Sequence, residues 1–251
     1  MERRITFLKA LGYMIYPNRC AFCDELIPMA RTVCERCEEK LPRVTGKLCR
    51  KCGCERKYCK CGKAFEFDRT IAPFYYGEPY NRGLLKFKKN REKWRAEVFA
   101  AYMAETAFDA FAGEQIDFAV RVPDHSSRIN DNVRGPRIGA GKSPNGTLAA
   151  AVCAEYGLEL KEGLLRYHTA DSRSQRSRNL NERHANVFGM LDVEDDGGEL
   201  FGRNVLLIDD VCTTGATLSE CAKMLKLHGA NAVFCVTLFT TKQEKRKKQS
   251  E

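Results

Sequence analysis

The sequence has no apolar run approaching the roughly 20 residues that a membrane-spanning helix needs, so a helical membrane protein is excluded as a class. Acid is outnumbered by base. Lysine and arginine number 42 against 33 aspartates and glutamates, a formal net charge of +9 over 251 residues. That excess suits polyanionic partners, nucleic acid or a pyrophosphorylated sugar, and equally suits simple solubility. A secretory leader is not expected. The opening MERRITFLKALGYMIYP is basic, then apolar, but Lys9 interrupts it and no small-residue cleavage site follows. An amphipathic helix over residues 1–17, with Phe7, Leu8, Leu11 and Ile15 inward, fits better, and the cytoplasm is the expected location. A P-loop is missing too. Gly139-Ala140-Gly141-Lys142-Ser143 has the ending of one, but Pro136 stands where its first glycine belongs and no apolar strand leads in.

Cysteine, by contrast, is abundant and clustered. Nine of the 13 cysteines lie between residues 18 and 62. They fall as Cys20-x2-Cys23, Cys34-x2-Cys37, Cys49-x2-Cys52 and Cys59-x-Cys61, with Cys54 left over. A tight CxxC turn lets both sulfurs reach one metal, so two pairs about ten residues apart read as one tetrahedral thiolate site. Cys20, Cys23, Cys34 and Cys37 read as a first Zn2+ site. Cys49, Cys52, Cys59 and Cys61 read as a second, with Cys54 able to replace a neighbour. An iron–sulfur cluster is an alternative. A disulfide framework is another, but it needs an oxidising compartment. A segment with so few large apolar residues depends on metal for its fold.

The rest of the chain is organised around Val205 to Leu218, VLLIDDVCTTGATL. Val205-Leu206-Leu207-Ile208 is apolar and branched, as in a buried parallel strand. Asp209 to Gly215 forms a polar turn at its carboxyl end. A helix opens at Ala216, with Leu218, Cys221, Ala222 and Leu225 on one face and Gly229 as its stop. Thr213, Thr214 and Thr217 offer hydroxyls, Gly215 lets the backbone approach an anion, and the first helical N–H groups are unpaired. Two adjacent carboxylates repel phosphate, so Asp209 and Asp210 face sugar hydroxyls or a divalent cation. A ribose 5-phosphate suits this loop.

Between these landmarks, Thr70 to Tyr76 reads as an edge strand because of Pro73. Tyr80 to Asn90 is a short helix whose Lys86, Lys88 and Lys89 either approach a polyphosphate or form a solvated face. Glu92 to Phe111 is a longer helix with Trp94, Val98, Ala101, Tyr102, Phe108 and Phe111 as its core stripe. Ile116 to Val122 is a strand followed by Asp124, His125 and Arg128. Asn130 to Gly146 has no periodicity, and a helix follows from Thr147 to Tyr156. The arginine-rich stretch His168 to Asn186 reads as a flap or an unstructured segment. Ala232 to Phe239 is the last buried strand. Residues 242–251 form a basic tail.

The central stretch resembles the phosphoribosyl pyrophosphate (PRPP) motif of type I phosphoribosyltransferases. Four further features precede it in order: the paired cysteines; Tyr76 followed by Leu84-Leu85-Lys86-Phe87-Lys88; Val122-Pro123 and Arg134-Gly135; and Ser174-Gln175 with Leu180, Arg183 and Asn186. Together they resemble the ComF family, double-zinc-ribbon, phosphoribosyltransferase-like proteins associated with bacterial DNA uptake in competence. The resemblance implies an α/β fold, a type I phosphoribosyltransferase-like parallel sheet flanked by helices over residues 69–241, preceded by a double zinc ribbon over 18–68. It implies that Asp209, Asp210, Thr213, Thr214, Gly215, Ala216 and Thr217 bind PRPP with Mg2+, Asp209 and Asp210 orienting the ribose for catalysis. Three departures stand out. Pro136 to Lys142 replace the family's aromatic-Asn-Gln element, Arg121 interrupts the apolar approach to Pro123, and Asp124 puts negative charge where pyrophosphate would lie. One reading is therefore phosphoribosyl transfer to an acceptor that no segment identifies. The other is a non-catalytic protein that binds single-stranded DNA or the competence machinery and keeps a vestigial PRPP loop, or a PRPP-responsive regulator.

Overall fold

The computed structural model describes residues 17–59, 61, 64–124, 143–167, 191–195 and 198–242. The expected first helix, His125 and Arg128, residues 130–142, the stretch 168–190 and the tail beyond Lys242 lie outside them.

The cysteine-rich segment carries little regular structure beyond the helix α1 (Glu35–Lys40) and a 3-10 turn at Arg56–Tyr58. Its turns are built around sulfur. Cys20 Sγ accepts from Cys34 N, and Cys34 Sγ, at the N-cap of α1, accepts from Cys37 N, both at 3.4 Å. The second half closes through Cys49 N to Cys54 O at 2.8 Å.

Beyond it come β1 (Arg69–Ile71), β2 (Phe74–Tyr75), α2 (Arg82–Asn90), α3 (Lys93–Ala110), β3 (Phe118–Arg121), α4 (Pro144–Tyr156), β4 (Leu165–Tyr167), β5 (Leu191–Val193), β6 (Asn204–Cys212), α5 (Ala216–Leu227) and β7 (Ala232–Thr240). The main sheet is parallel in order β1-β7-β6-β3, with β2 continuing along β7 beyond β1. A separate antiparallel pair joins β4 to β5. Side-chain alternation along the buried strands divides the core in two. Leu206, Ile208, Phe234 and Val236 face α3, α4 and the cysteine-rich segment, whereas Val205, Leu207, Val233 and Cys235 face α5 and the β4–β5 pair.

Three sequence expectations need correction. The strand over Thr70 to Tyr76 breaks at Ala72-Pro73, and its outer edge is not open: Tyr75 N donates to Pro42 O at 2.7 Å and Val44 N to Pro73 O at 2.9 Å, so the cysteine-rich segment covers it. The stripe on α3 holds at Val98, Tyr102 and Phe111 but is rotated away from Trp94, Ala101 and Phe108. Phe99, Met103 and a row of alanines are buried, while Trp94 is 36% and Phe108 49% exposed. Alanines let α3 lie close to the sheet, and the displaced aromatics find flat partners instead, Trp94 under the Arg95 guanidinium and Phe108 stacked on Tyr156 at 4.1 Å. Finally, α4 begins three residues early, because Ser143 Oγ accepts from Gly146 N at 2.9 Å and Pro144 occupies the first turn.

The cysteine-rich segment and the α/β part share one core. Phe22, fully buried in the first knuckle, meets Phe74, Phe99, Tyr102 and Phe239 with ring centroids 5.3 to 6.4 Å away. Arg95 on α3, 1% exposed, donates to Cys20 O and Ala21 O at 2.9 Å and pairs with Asp24 and Glu92. Five guanidinium donors in a fixed fork suit this mixed set of acceptors. Removing one partner of a buried ion pair strands the other. Arg95→Met is therefore expected to lower stability by about 3–5 kcal/mol, read from the shift in urea midpoint; an unchanged midpoint would show that the knuckle docks without this pin.

Candidate functional site at the end of the central strand

The acid pair sits on β6 itself, not in the turn after it. Asp209 still pairs with Thr237, and the ladder runs on to Cys212 opposite Thr240. The strand's last residues thus hold both carboxylates on rigid backbone at the carboxyl edge of the parallel sheet. Beyond Cys212 the chain turns through Thr213 and Thr214 to Gly215, whose φ of 80° is the left-handed conformation that favours glycine. Gly215 caps α5 without a side-chain bond, and Thr214 Oγ1 accepts from Ala216 N at 3.3 Å. Thr213, Thr214 and Ala216 are exposed and Thr217 is half-buried. Thr241 Oγ1 donates to Thr213 O at 3.0 Å, tying the turn to the end of β7.

Gly215 is buried beneath the linker that leaves the second cysteine cluster. A Cβ there would lie 3.1 Å from Phe65, whose ring stacks on Phe67 at 4.7 Å. Glu66 N donates to Ser219 Oγ on α5 at 3.0 Å. The linker is therefore part of the wall of the turn.

Three elements converge on the acids. Asp209 Oδ1 accepts from Asp210 N at 2.9 Å and faces Asn145 Nδ2 at 3.4 Å. Asn145, at the head of α4, also donates to Val122 O at 2.7 Å. Asp210 Oδ2 pairs with Lys88 Nζ of α2 at 2.6 Å. Asp209 is part-buried by exposed surface, yet protein packs closely enough for desolvation, and then the Asp210 charge, to push its carboxyl up to about 8. Lys88 opposes that shift. Arg121 and Asp124, the two departures beside the site, pair with each other at 2.8 Å, so the charge of Asp124 is met by its own neighbour.

The sequence leaves Lys88 as one of three lysines that either approach a polyphosphate or form a solvated face, and it does not single out Asn145. Of the three, Lys88 reaches the acids, while Lys86 turns to Asp24 at 3.8 Å. Asn145 was hidden in a stretch without periodicity; the Ser143-Pro144 start signal was available to place it on the first turn of a helix.

The cysteines form the two groups expected from spacing. Cys20, Cys23, Cys34 and Cys37, and separately Cys49, Cys52, Cys59 and Cys61, each keep all their sulfurs within 4.8 Å of one another. Cys23–Cys34, Cys49–Cys61 and Cys52–Cys59 sulfurs lie 3.6 to 3.7 Å apart. That is far beyond a disulfide bond and close to the edge of about 3.8 Å that a tetrahedron with 2.3 Å metal–sulfur bonds requires. The donor set therefore fits a four-thiolate metal at both places. Cys54 is outside both groups: it is fully buried, with Sγ 3.5 Å from Thr240 Oγ1.

A carboxyl raised in the folded protein binds its proton there at pH values where the unfolded chain has lost it. Folded stability then falls as pH rises from the ordinary aspartate range to about 8, and levels off above it. Asp209→Asn removes that penalty. The variant is expected to melt several degrees (roughly 2–4 °C per kcal/mol) above the parent at pH 8.5, with the difference shrinking toward pH 4. Melting curves with a pH-independent offset would mean that Asp209 is ionised in the free protein.

Comparison with known proteins agrees with this arrangement. Residues 11–70 match the family model of a double zinc ribbon domain, and residues 165–251 that of a phosphoribosyl transferase domain. Competence protein F of Haemophilus influenzae is 22% identical over 225 residues, covering 86% of this chain and 93% of that protein. Adenine phosphoribosyltransferase of Mycolicibacterium gilvum is 34% identical over 116 residues, 45% of this chain and 62% of the enzyme, so the match spans less than two thirds of that relative. Among solved structures, the glutamine PRPP amidotransferase of B. subtilis overlays 56% of this chain and 25% of its own at 18% identity, with a TM-score of 0.36. At that score the fold assignment rests on the sheet and the two domain matches instead. No helix among the described residues is long and apolar enough to cross a membrane. A double zinc ribbon and a phosphoribosyltransferase domain in one chain, with likeness to Competence protein F over most of its length, match the ComF family that the sequence motifs resemble.

Proposed function

We propose that this chain binds PRPP or a related ribose 5-phosphate with Mg2+ at Asp209 to Thr217, and that it transfers the phosphoribosyl group to an acceptor. The observation that carries the reading is the juxtaposition at one sheet edge. Two carboxylates fixed on β6 stand next to a threonine-glycine turn that opens a helix, outside the carboxyl ends of parallel strands, where ligands of open α/β sheets bind. The turn's hydroxyls and the first N–H groups of α5 anchor the 5-phosphate. Asp209 and Asp210 take the ribose hydroxyls and fix the sugar's orientation. Mg2+ bound with the substrate supplies positive charge that stabilises departing pyrophosphate. The Arg121–Asp124 pair supports turnover, because Asp124 does not confront the pyrophosphate as an unpaired charge.

We read the two cysteine groups as zinc sites and the protein as one that works in the reducing cytoplasm, where thiolates persist. A second reading, single-stranded DNA binding linked to uptake in competence, is favoured by the groove between the first knuckle and α2. It is lined by Arg19, Arg82, Lys86 and Lys89, which outnumber its two acids Asp24 and Glu25, beside exposed Leu26 and Leu85. Such binding weakens steeply with salt.

The direct test is calorimetric titration of the zinc-loaded protein with PRPP in Mg2+, beside the Asp209→Asn, Asp210→Asn double variant. Saturable binding lost in the variant is expected. Binding by neither protein would overturn the ligand assignment and turn the search to DNA. Elemental analysis is expected to find two zinc ions per chain. Stripping them is expected to lower the melting temperature of the whole chain in a single transition, since Phe22 lies in the shared core. A second transition unaffected by the chelator would show the α/β part to be independent of the ribbon.

A further inference from the structure

A site that reads a sugar with two adjacent carboxylates and also binds phosphate carries an internal conflict, because the acids repel the ligand's own charge. The structure supplies a remedy that the motif does not contain. We propose that Lys88 is a built-in counter-cation of this site, occupying one oxygen of Asp210 so that a phosphorylated sugar meets a neutralised acid pair without needing a divalent metal between them. The proposal rests on the phosphoribosyl reading of the loop.

The geometry is specific. Lys88 Nζ lies 2.6 Å from Asp210 Oδ2, the carboxylate side chain being 15% exposed and that of the lysine 44%. The contact uses one oxygen, and a carboxylate has lone pairs on both, so Asp210 keeps Oδ1 for sugar hydroxyls. Lys88 is not placed by chance at the tip of a mobile helix. The start of α2 is locked to the first knuckle: Gly83 N donates to Phe22 O at 2.6 Å, and a Cβ on Gly83 would come within 1.6 Å of Ala21 O. Leu84 and Phe87 are buried beneath the helix, which leaves Lys88 projecting at the acids.

At Asp209, Asn145 completes the picture. Its Nδ2 donates to Val122 O, an acceptor only, which fixes the orientation of the amide. Its Oδ1 then stays buried, without a hydrogen-bond partner among the described residues, on a side chain that is 5% exposed and adjoins Asp209. A buried acceptor in that position calls for a donor from a ligand. The pair of acids thus has a fixed cation at Asp210 and an unsatisfied acceptor at Asp209, which suits a hydroxyl-rich anion better than a bare metal ion.

The test uses the full, zinc-loaded chain and two probes. The first is Mn2+ alone, followed by loss of the free-ion paramagnetic resonance signal. The parent is expected to bind none saturably. Lys88→Met is expected to bind it, and the Lys88→Met, Asp210→Asn double variant to lose it again. The second probe is ribose 5-phosphate titrated calorimetrically without divalent cation. Lys88→Met is expected to weaken binding about 5- to 10-fold, the scale of one ordinary hydrogen bond, since the lysine is partly solvated, with Mg2+ restoring part of it, while Lys88→Arg stays near the parent. Parental sugar-phosphate affinity in Lys88→Met together with no Mn2+ uptake would overturn the proposal. If neither protein binds ribose 5-phosphate while Lys88→Met alone takes up Mn2+, the phosphoribosyl reading fails and Lys88 stands as the neutraliser of the pair.

Discussion

Parallel pairing of β6 with β7 is the constraint on which the site depends. The two strands run together from Asn204 opposite Ala232 to Cys212 opposite Thr240. Both are buried on both faces, and their alternating side chains divide the core between α3 and α4 on one side and α5 on the other. Because the ladder continues past Ile208, Asp209 and Asp210 are held by strand backbone when they leave the apolar core. Backbone of that kind keeps adjacent carboxylates in place against their mutual repulsion, which a free turn would relieve by moving them apart.

The cysteine-rich segment is a structural part of the α/β unit and not an appendage. Phe22 fills the centre of an aromatic cluster, Arg95 ties α3 to two knuckle carbonyls, and residues 42–44 cover the sheet edge. The second cysteine group leads directly into the Phe65–Phe67 stack that lies over Gly215. Each metal-type site is therefore one short step from the acid pair and its turn, the first through α2 and Lys88, the second through the linker. A domain with few large apolar residues of its own gains a core by sharing one.

Electrostatics at the site are balanced pairwise. Lys88 answers Asp210, Arg121 answers Asp124, and Asp209, which has no ion-pair partner among the described residues, is held toward its neutral form by burial and by the charge next to it. The outcome is a sheet edge with less negative charge than three aspartates suggest.

Sequence alone determined the parts whose physics is local. Period-two and continuous apolar runs marked β3, β6 and β7. The face Leu218, Cys221, Ala222 and Leu225 marked the buried side of α5, and the conformational freedom of Gly215 marked the turn. The CxxC and CxC spacings pointed to two groups of four sulfurs, with the place of Cys54 left open, since a tight turn brings neighbours in sequence to one metal. Only tertiary structure decided what depends on distant chain segments meeting. It turned the α3 stripe away from Trp94, Ala101 and Phe108, because the contacts of a helix are set by which neighbour it packs against. It removed Cys54 from the metal sets by aiming it at Thr240, 186 positions away. It chose Lys88 among three lysines, and it brought Asn145 across 64 positions to Asp209. Those contacts carry no periodicity or spacing of their own; they exist because α2 and α4 pack into the same core beside the carboxyl end of β6.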